Sequence, residues 1–153
     1  MTTSTEQPSR SETPKLLKEE KAKVLAALKA ADAKKAERLV LIDLAERQTF
    51  ADYLMICHGT SDRHVKAIHE AIAEALRKLG SRPIGVEGEA LAQWILMDYG
   101  SLVVHIFYEP LRDFYDLEGL WADCPAFDAP ALLKPRTRAK ASRKLAAGAE
   151  RES

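Results

Sequence analysis

Two short, nearly continuous apolar runs constrain the fold of this chain more than any other feature. RLVLIDLA spans residues 38–45 and ADYLMICHG spans residues 51–59. A strand with one face in water alternates apolar and polar residues, whereas an unbroken apolar run of this length is typical of a strand covered on both faces. The two runs therefore predict neighbouring strands of a sheet that helices cover.

An amphipathic helix is predicted directly after the second run. In TSDRHVKAIHEAIAEALRKLG (60–80), Thr60 or Ser61 can cap the start of the helix and Gly80 can end it. Apolar residues recur every three or four positions between these signals, at Val65, Ile68, Ile72, Leu76 and Leu79. A second helix is predicted before the first strand, over about residues 15–31, on the same kind of spacing.

The rest of the domain reads as a short strand, a hairpin and a final helix. PIGVEG (83–88) suits a short strand, and AQWILMD and SLVVHIFY suit two strands joined by a turn at residues 98–101. Pro110 then begins a helix that runs through Trp121. The prediction is one α/β domain over 15–127, with a mixed five-stranded sheet and flanking helices.

Composition divides the chain into an acidic body and less apolar ends. Residues 39–127 contain fourteen acidic against seven basic residues, a net charge of about −7, whereas residues 134–153 contain seven basic against two acidic. The acidic body argues against nucleic acid as its main ligand and favours a basic partner. The Ser/Thr/Pro-rich start (1–14) is predicted to be disordered. The basic tail (128–153) is predicted to be disordered, or helical only on a partner.

Cysteine content and hydropathy indicate a cytoplasmic location. Cys57 and Cys124 provide neither a disulfide framework nor metal-ligand spacing, so a reduced protein is expected. The first residues lack the basic and apolar regions of a signal peptide, and no apolar run approaches the roughly 20 residues of a membrane span. No membrane association, metal or cofactor is expected.

Two enzymatic interpretations have some support in the sequence. Gly59-Thr60-Ser61 lies between a predicted strand and a predicted helix, which is a geometry that binds phosphate and resembles the entry loop of nucleotidyltransferases. Those enzymes also need paired carboxylates for two metal ions, whereas the candidate strand here offers Asp98 alone. Cys57 and His105 can be written as a nucleophile and its base, but no local motif supports the pair.

Aromatic residues beside acids favour a binding surface instead. Residues 105–121 contain five of the ten aromatic residues of the chain, interleaved with carboxylates. Trp94, Leu96 and Asp98 share one strand face by alternation. Phe114, Leu117 and Leu120 are expected to attach the last helix to the sheet, whereas for three further aromatic residues, Trp94, Tyr115 and Trp121, a core role and an interface role stay open. Aromatic anchors with a charged rim are typical of protein interfaces.

Three long blocks carry a resemblance to a known family. ADYLMICHGTSDRHVKAI, GVEGEALAQWILMDYGSLVVHIF and RDFYDLEGLW resemble, in this order, the ribosomal silencing factor family (RsfS, or Iojap-like) over about residues 20–122. The resemblance implies a nucleotidyltransferase-like fold without the catalytic carboxylates. It also implies binding to large-subunit ribosomal protein L-fourteen, which blocks joining of the small subunit and represses translation when nutrients are scarce. The two ends of the chain lie outside these blocks.

The resemblance and the surface pattern together give a predicted partner-binding set: Trp94, Asp98, Glu87, Glu89, Tyr115, Glu118 and Trp121. No catalytic residue is predicted. Two other functions stay open, a nucleotide-binding or nucleotidyl-transferring enzyme that uses Gly59-Thr60-Ser61 and a homodimer that uses the same aromatic face. The basic tail is expected to add a weak contact to ribosomal RNA.

Overall fold

The computed structural model describes residues 18–47, 51–128 and 132–133. In chain order, the helices and strands of these residues are α1 (Lys18–Ala33), β1 (Glu37–Asp43), β2 (Tyr53–Gly59), α2 (Asp62–Lys78), β3 (Gly85–Glu87), β4 (Trp94–Asp98), β5 (Leu102–Tyr108), α3 (Glu109–Tyr115), α4 (Leu117–Leu120) and β6 (Ala126–Asp128). A 3₁₀ turn at Ala45–Arg47 follows β1. The strands form one sheet in the order β3-β4-β5-β2-β1-β6.

The sheet is mixed and its centre is buried on both faces. β2 and β5 pair in parallel, and the other neighbouring strands pair antiparallel. Every residue of β2 is buried, as its continuous apolar run predicts. The long helices α1 and α2 cover one face, whereas α3, α4 and the chain that follows them cover the other.

The apolar stripe of α2 explains its place against the sheet. Val65, Ile68, Ile72 and Leu76 are buried, and Ser61 Oγ accepts a hydrogen bond from the backbone N–H of His64 at the start of the helix. Leu79, the last residue of the predicted stripe, is 50% exposed because the helix has already ended there.

The predicted α/β class and the mixed sheet with flanking helices are confirmed, but the predicted number of five strands is wrong. The described residues form six strands, and the sixth, Ala126–Asp128, pairs antiparallel with β1 at the edge of the sheet. A three-residue strand is too short to show a period of two, so the sequence pattern does not reveal it.

The predicted final helix is also not continuous. α3 begins near Pro110 as expected but ends at Asp116, whose φ of 47° is left-handed, and α4 starts directly after it. This break changes the phase of the apolar stripe. Leu117 packs against the sheet as predicted, whereas Phe114 is 76% exposed and Leu120 is 66% exposed. The expectation that these last two residues attach the helix to the sheet is therefore wrong.

The predicted disordered start (1–14) and most of the predicted basic tail (128–153) lie outside the described residues. Within the tail, Asp128 belongs to β6, and Leu132 and Leu133 pack against the core beneath α1 and α2. Of the helices that the structure describes, none combines the length and the apolar character that crossing a membrane requires.

Candidate binding surface

A cavity of about 630 Å³ lies where β4, the loop that precedes it and α3 meet. Its lining consists mainly of apolar and aromatic side chains with two carboxylates, contributed by Val86, Glu87, Gly88, Glu89, Ala90, Leu91, Gln93, Trp94, Leu111 and Tyr115. We call this cavity the Trp94 pocket. It brings together four of the seven residues of the predicted partner-binding set: Glu87, Glu89, Trp94 and Tyr115.

The wall of the Trp94 pocket is a cluster of aromatic rings. The ring centroid of Trp94 lies 4.9 Å from that of Phe107 and 4.8 Å from that of Tyr115. Phe107 is buried beneath the cluster, Trp94 is half-buried and Tyr115 is 49% exposed. Phe114 continues the cluster outward, because its ring packs edge-on against Tyr115 at 5.0 Å. The wall therefore joins the core on one side and offers apolar area to solvent on the other.

A glycine gives the rim of the pocket its shape. Gly88 lies between Glu87 and Glu89 with a φ of +86°, a conformation that favours glycine. A Cβ atom at this position would overlap the carbonyl oxygen of Trp94. The rim can therefore approach β4 this closely only without a side chain at residue 88, and the two exposed glutamates flank this contact.

The other three predicted residues lie elsewhere and have partners within the chain. Asp98 is at the opposite end of β4 from Trp94, and its Oδ1 accepts a hydrogen bond of 2.8 Å from the N–H of Gly100 in the hairpin turn. Glu118 pairs with Arg112. Trp121 is half-buried against the second core, and the guanidinium of Arg47 lies 5.6 Å from its ring centroid.

Arg112 is a fully buried cation that fixes α3 on the sheet. Its Nε and Nη2 donate to the two carboxylate oxygens of Glu118 at 3.1 and 2.6 Å. Its Nη1 donates to the backbone oxygen of Glu37 on β1 at 3.1 Å and lies 3.0 Å from Nδ1 of His58 on β2. Because Leu111 and Tyr115 belong to the same helix, this network also positions one wall of the Trp94 pocket.

Glu37, His58 and Glu109 form a cluster in which one ligand atom of each lies within 4.8 Å of the others. The arginine side chain can only donate, so His58 Nδ1 must accept from Arg112 and the ring proton must be on Nε2. That proton points to Glu37 Oε1, 3.1 Å away. A metal ion would need the Nε2 lone pair and would lie close to the charge of Arg112. The cluster is therefore a hydrogen-bond chain rather than a good cation site.

The same chain affects the ionisation of His58. Burial and, next, the positive charge of Arg112 lower the pKa of His58, whereas Glu37 raises it by a smaller amount. The ring is neutral at neutral pH as a result, which is the state that its contact with Arg112 requires.

The Gly59-Thr60-Ser61 loop is covered by the side chain of His64 on α2, the helix that follows it. The N–H of Thr60 donates to Nδ1 of His64 at 2.9 Å, and the N–H of His64 donates to Ser61 Oγ at 3.0 Å. The His64 ring also lies against Gly59, so that a Cβ there would be 3.0 Å from it. The position at which a phosphate would meet these amides is thus occupied by the histidine.

Cys57 and His105 do not form a dyad. Cys57 packs in the core beneath α1 and α2, whereas His105 lies on the opposite face of the sheet with Trp94 and Phe107. Complete burial raises the pKa of the Cys57 thiol to about 12, so the thiol is not a nucleophile at neutral pH.

The sequence pattern does not indicate Leu91 and Leu111, which line the Trp94 pocket. Leu91 is 73% exposed and lies in a loop, where no periodicity marks it. The pattern also does not identify His105 as a partner of Trp94, although a single polar residue inside the apolar run of β5 marks the position as unusual.

The sequence and the fold also match those of known proteins. A family model described as "Ribosomal silencing factor during starvation" matches residues 17–153. A ribosomal silencing factor RsfS of Bacillus subtilis is 40% identical over 99 residues, which cover 65% of this chain and 84% of the relative. A mouse relative named "Mitochondrial assembly of ribosomal large subunit protein 1" is 30% identical and matches 56% of this chain and 39% of its own length. A solved structure from Chromobacterium violaceum superposes with a TM-score of 0.65 at 28% identity, covering 69% of this chain and 88% of that one.

Proposed function

Because the chain belongs to the ribosomal silencing factor family, we propose that it silences ribosomes by binding the large subunit. In this proposal the chain binds ribosomal protein L-fourteen through the Trp94 pocket, blocks joining of the small subunit and represses translation when nutrients are limiting. The names of the relatives support a ribosomal role: several are called ribosomal silencing factors, and the mouse relative is named for the large ribosomal subunit. The protein acts in the cytoplasm.

The observation that carries the choice of surface is the convergence of Trp94, Tyr115, Glu87 and Glu89 on one pocket. Half-exposed aromatic residues supply the apolar contact area on which the affinity of an interface mostly depends. Exposed carboxylates at the rim attract a basic partner and raise the rate of association. The net negative charge of residues 39–127 acts in the same direction.

Asp98, Glu118 and Trp121 contribute to this proposal as supports. The contacts of Asp98 with the turn, of Glu118 with Arg112 and of Trp121 with the second core stabilise the elements around the pocket. A direct contact of these residues with the partner would have to compete with those intramolecular partners, whereas Glu87 and Glu89 are exposed at the rim.

We propose no catalytic activity for this chain. In the Gly59-Thr60-Ser61 loop, the N–H of Thr60 donates to His64 Nδ1, and Ser61 Oγ accepts from the N–H of His64. Asp98, the carboxylate of β4, holds the hairpin turn, and neither β4 nor β5 offers a second carboxylate for a two-metal site. A nucleotide-binding assay with Mg²⁺ tests this directly, and saturable binding that His64→Ala strengthens would favour the enzymatic function instead.

The test of the proposed surface is titration calorimetry with purified ribosomal protein L-fourteen. Trp94→Ala should weaken binding by about thirtyfold or more, as truncation of an interface anchor does. Glu87→Gln combined with Glu89→Gln should weaken binding and make the affinity less dependent on salt concentration. The matched control, Asp32→Asn with Glu70→Gln, removes two exposed carboxylates outside the pocket lining and should bind like the parent. Equal effects of the two double variants would show that net charge matters but the pocket does not.

A further inference from the structure

The one polar atom of the Trp94 side chain is held by a buried histidine. Trp94 Nε1 donates a hydrogen bond of 3.0 Å to Nδ1 of His105 on the neighbouring strand. The register of β4 and β5 pairs Leu96 with His105 and Trp94 with Phe107, so all four residues share one face of the sheet. His105 is 6% exposed, whereas Trp94 reaches the pocket. The hydrogen bond therefore connects the pocket wall to the interior of the sheet.

His105 accepts this hydrogen bond as a neutral imidazole, and it lies on a strand inside the sheet. Burial lowers the pKa of His105 to about 4, so the imidazole is neutral at neutral pH. The indole N–H can only donate, and the neutral ring must therefore carry its proton on Nε2 and present the Nδ1 lone pair to Trp94. β5 lies between β4 and β2 inside the sheet, which leaves its side chains little freedom to move.

The aromatic contacts of Trp94 do not select its orientation by themselves. Packing against Phe107 and Tyr115 depends on ring area and tilt, and an indole turned over in the same slot would keep much of that area. The turned ring would point Nε1 away from His105 and would leave the buried acceptor without its partner. A hydrogen bond to a fixed acceptor favours one of the two indole orientations, whereas ring packing hardly distinguishes them.

We infer that His105 is a positioning residue, which orients the indole of Trp94 so that the pocket presents the same aromatic face to every arriving partner. This inference rests on the proposed function, because it assigns a role at the surface proposed to bind ribosomal protein L-fourteen. The hydrogen bond preorganises the pocket. Because the indole of Trp94 is already ordered before the partner arrives, binding does not lose the entropy of ordering it, and the affinity is higher.

Two substitutions at the same position separate orientation from packing. His105→Leu keeps an apolar side chain of similar size but removes the acceptor, and His105→Asn can place an amide oxygen close to the present position of Nδ1. For a net hydrogen bond of ordinary strength, His105→Leu should weaken binding to ribosomal protein L-fourteen by about fivefold, and His105→Asn should restore it to within about twofold of the parent.

A double-mutant comparison distinguishes a positioning role of His105 from a purely structural one. Trp94→Phe keeps an aromatic ring but has no N–H, so His105→Leu should change the affinity of the Trp94→Phe chain by less than about twofold. A loss of the same factor in both backgrounds would show that His105 supports the fold and would overturn the inference. Binding of His105→Leu as tight as that of the parent would overturn it as well.

The hydrogen bond can also be observed directly. The chain has two tryptophans, so a nitrogen-15 spectrum contains two indole resonances, and Trp94→Phe identifies one of them. The Trp94 indole proton should exchange slowly with solvent in the parent and in His105→Asn, and quickly in His105→Leu. Fast exchange in the parent would contradict the inference. If the parent does not bind ribosomal protein L-fourteen at all, the proposed function fails, whereas binding by the parent with no effect of His105→Leu refutes the positioning role alone.

Discussion

Replacing Arg112 with methionine should be among the most destabilising single changes in the domain. The substitution keeps an unbranched apolar stem but removes a guanidinium that is 1% exposed and contacts Glu118, Glu37 and His58. The carboxylate of Glu118 then loses its bidentate partner, and a backbone oxygen and an imidazole nitrogen lose a donor. Breaking a buried ion pair by removing one partner costs about 3–5 kcal/mol.

The expected loss lies at the lower end of that range. The Glu118 side chain is 27% exposed, so water can reach part of the carboxylate. Nη2 of Arg38 lies 3.8 Å from Glu118 Oε2 and can compensate for some of the lost charge. We therefore expect Arg112→Met to lower the free energy of unfolding by about 3 kcal/mol.

The chain contains a matched control for this prediction. Arg77 also binds a glutamate through two guanidinium nitrogens, since its Nε and Nη2 donate to the two carboxylate oxygens of Glu74 at 3.2 and 2.7 Å. These side chains are 57% and 51% exposed, and an exposed pair of this spacing on a helix contributes about 0.5 kcal/mol or less. Arg77→Met should therefore have little effect on stability.

Urea unfolding followed by circular dichroism measures both variants under the same conditions. We expect a difference of at least about 2 kcal/mol between them, with the larger loss in Arg112→Met. Similar losses in the two variants would contradict this prediction. Both arginines hold a glutamate through Nε and Nη2, but Arg112 is also buried and has two further acceptors, the backbone oxygen of Glu37 and Nδ1 of His58.

Three further predictions test other parts of the structure. The pKa of His105 is about 4 in the folded chain and near 6.5 in the unfolded chain, so the unfolded state binds more protons between these pH values. The free energy of unfolding should therefore fall by up to about 3 kcal/mol from pH 6.5 to pH 4. In urea unfolding, His105→Asn should show a shallower pH dependence than the parent. Gly88→Ala should destabilise the domain by more than about 2 kcal/mol in the same assay because its Cβ would overlap a backbone oxygen, whereas Gly80→Ala, with a similar φ but open space, should cost about 1 kcal/mol; equal losses would contradict the close approach at the pocket rim. A chain that ends at Leu133 lacks seven basic residues and should bind large subunits with a shallower dependence on salt, and an unchanged slope would exclude a contact of the tail with ribosomal RNA.

The sequence predicts the helices and long strands of this fold well because each of them has its own burial pattern. The apolar run of β2 and the stripe of α2 report directly which faces are covered, and the hairpin between β4 and β5 follows from the turn residues at positions 98–101. A period of this kind is a property of one element, and it needs no knowledge of the rest of the chain.

The errors arise where one residue changes the backbone or where the partner is distant in the sequence. Asp116 adopts a left-handed φ that ends α3 and restarts a helix, which displaces Phe114 and Leu120 from the face that an unbroken helix would bury. The pairing of Glu118 with Arg112 depends on that break, and no spacing rule for a continuous helix predicts it. The contact between Trp94 and His105 needs the register of two strands, which a single sequence does not supply.

The most direct test of the proposed function is a sucrose-gradient profile of purified ribosomal subunits mixed with this chain. With saturating parent protein, we expect fewer joined ribosomes, more free subunits, and sedimentation of the chain with large subunits but not with small ones. Trp94→Ala at the same concentration should leave subunit joining intact. Undiminished joining in the presence of saturating parent protein would contradict the proposal that the chain blocks subunit joining.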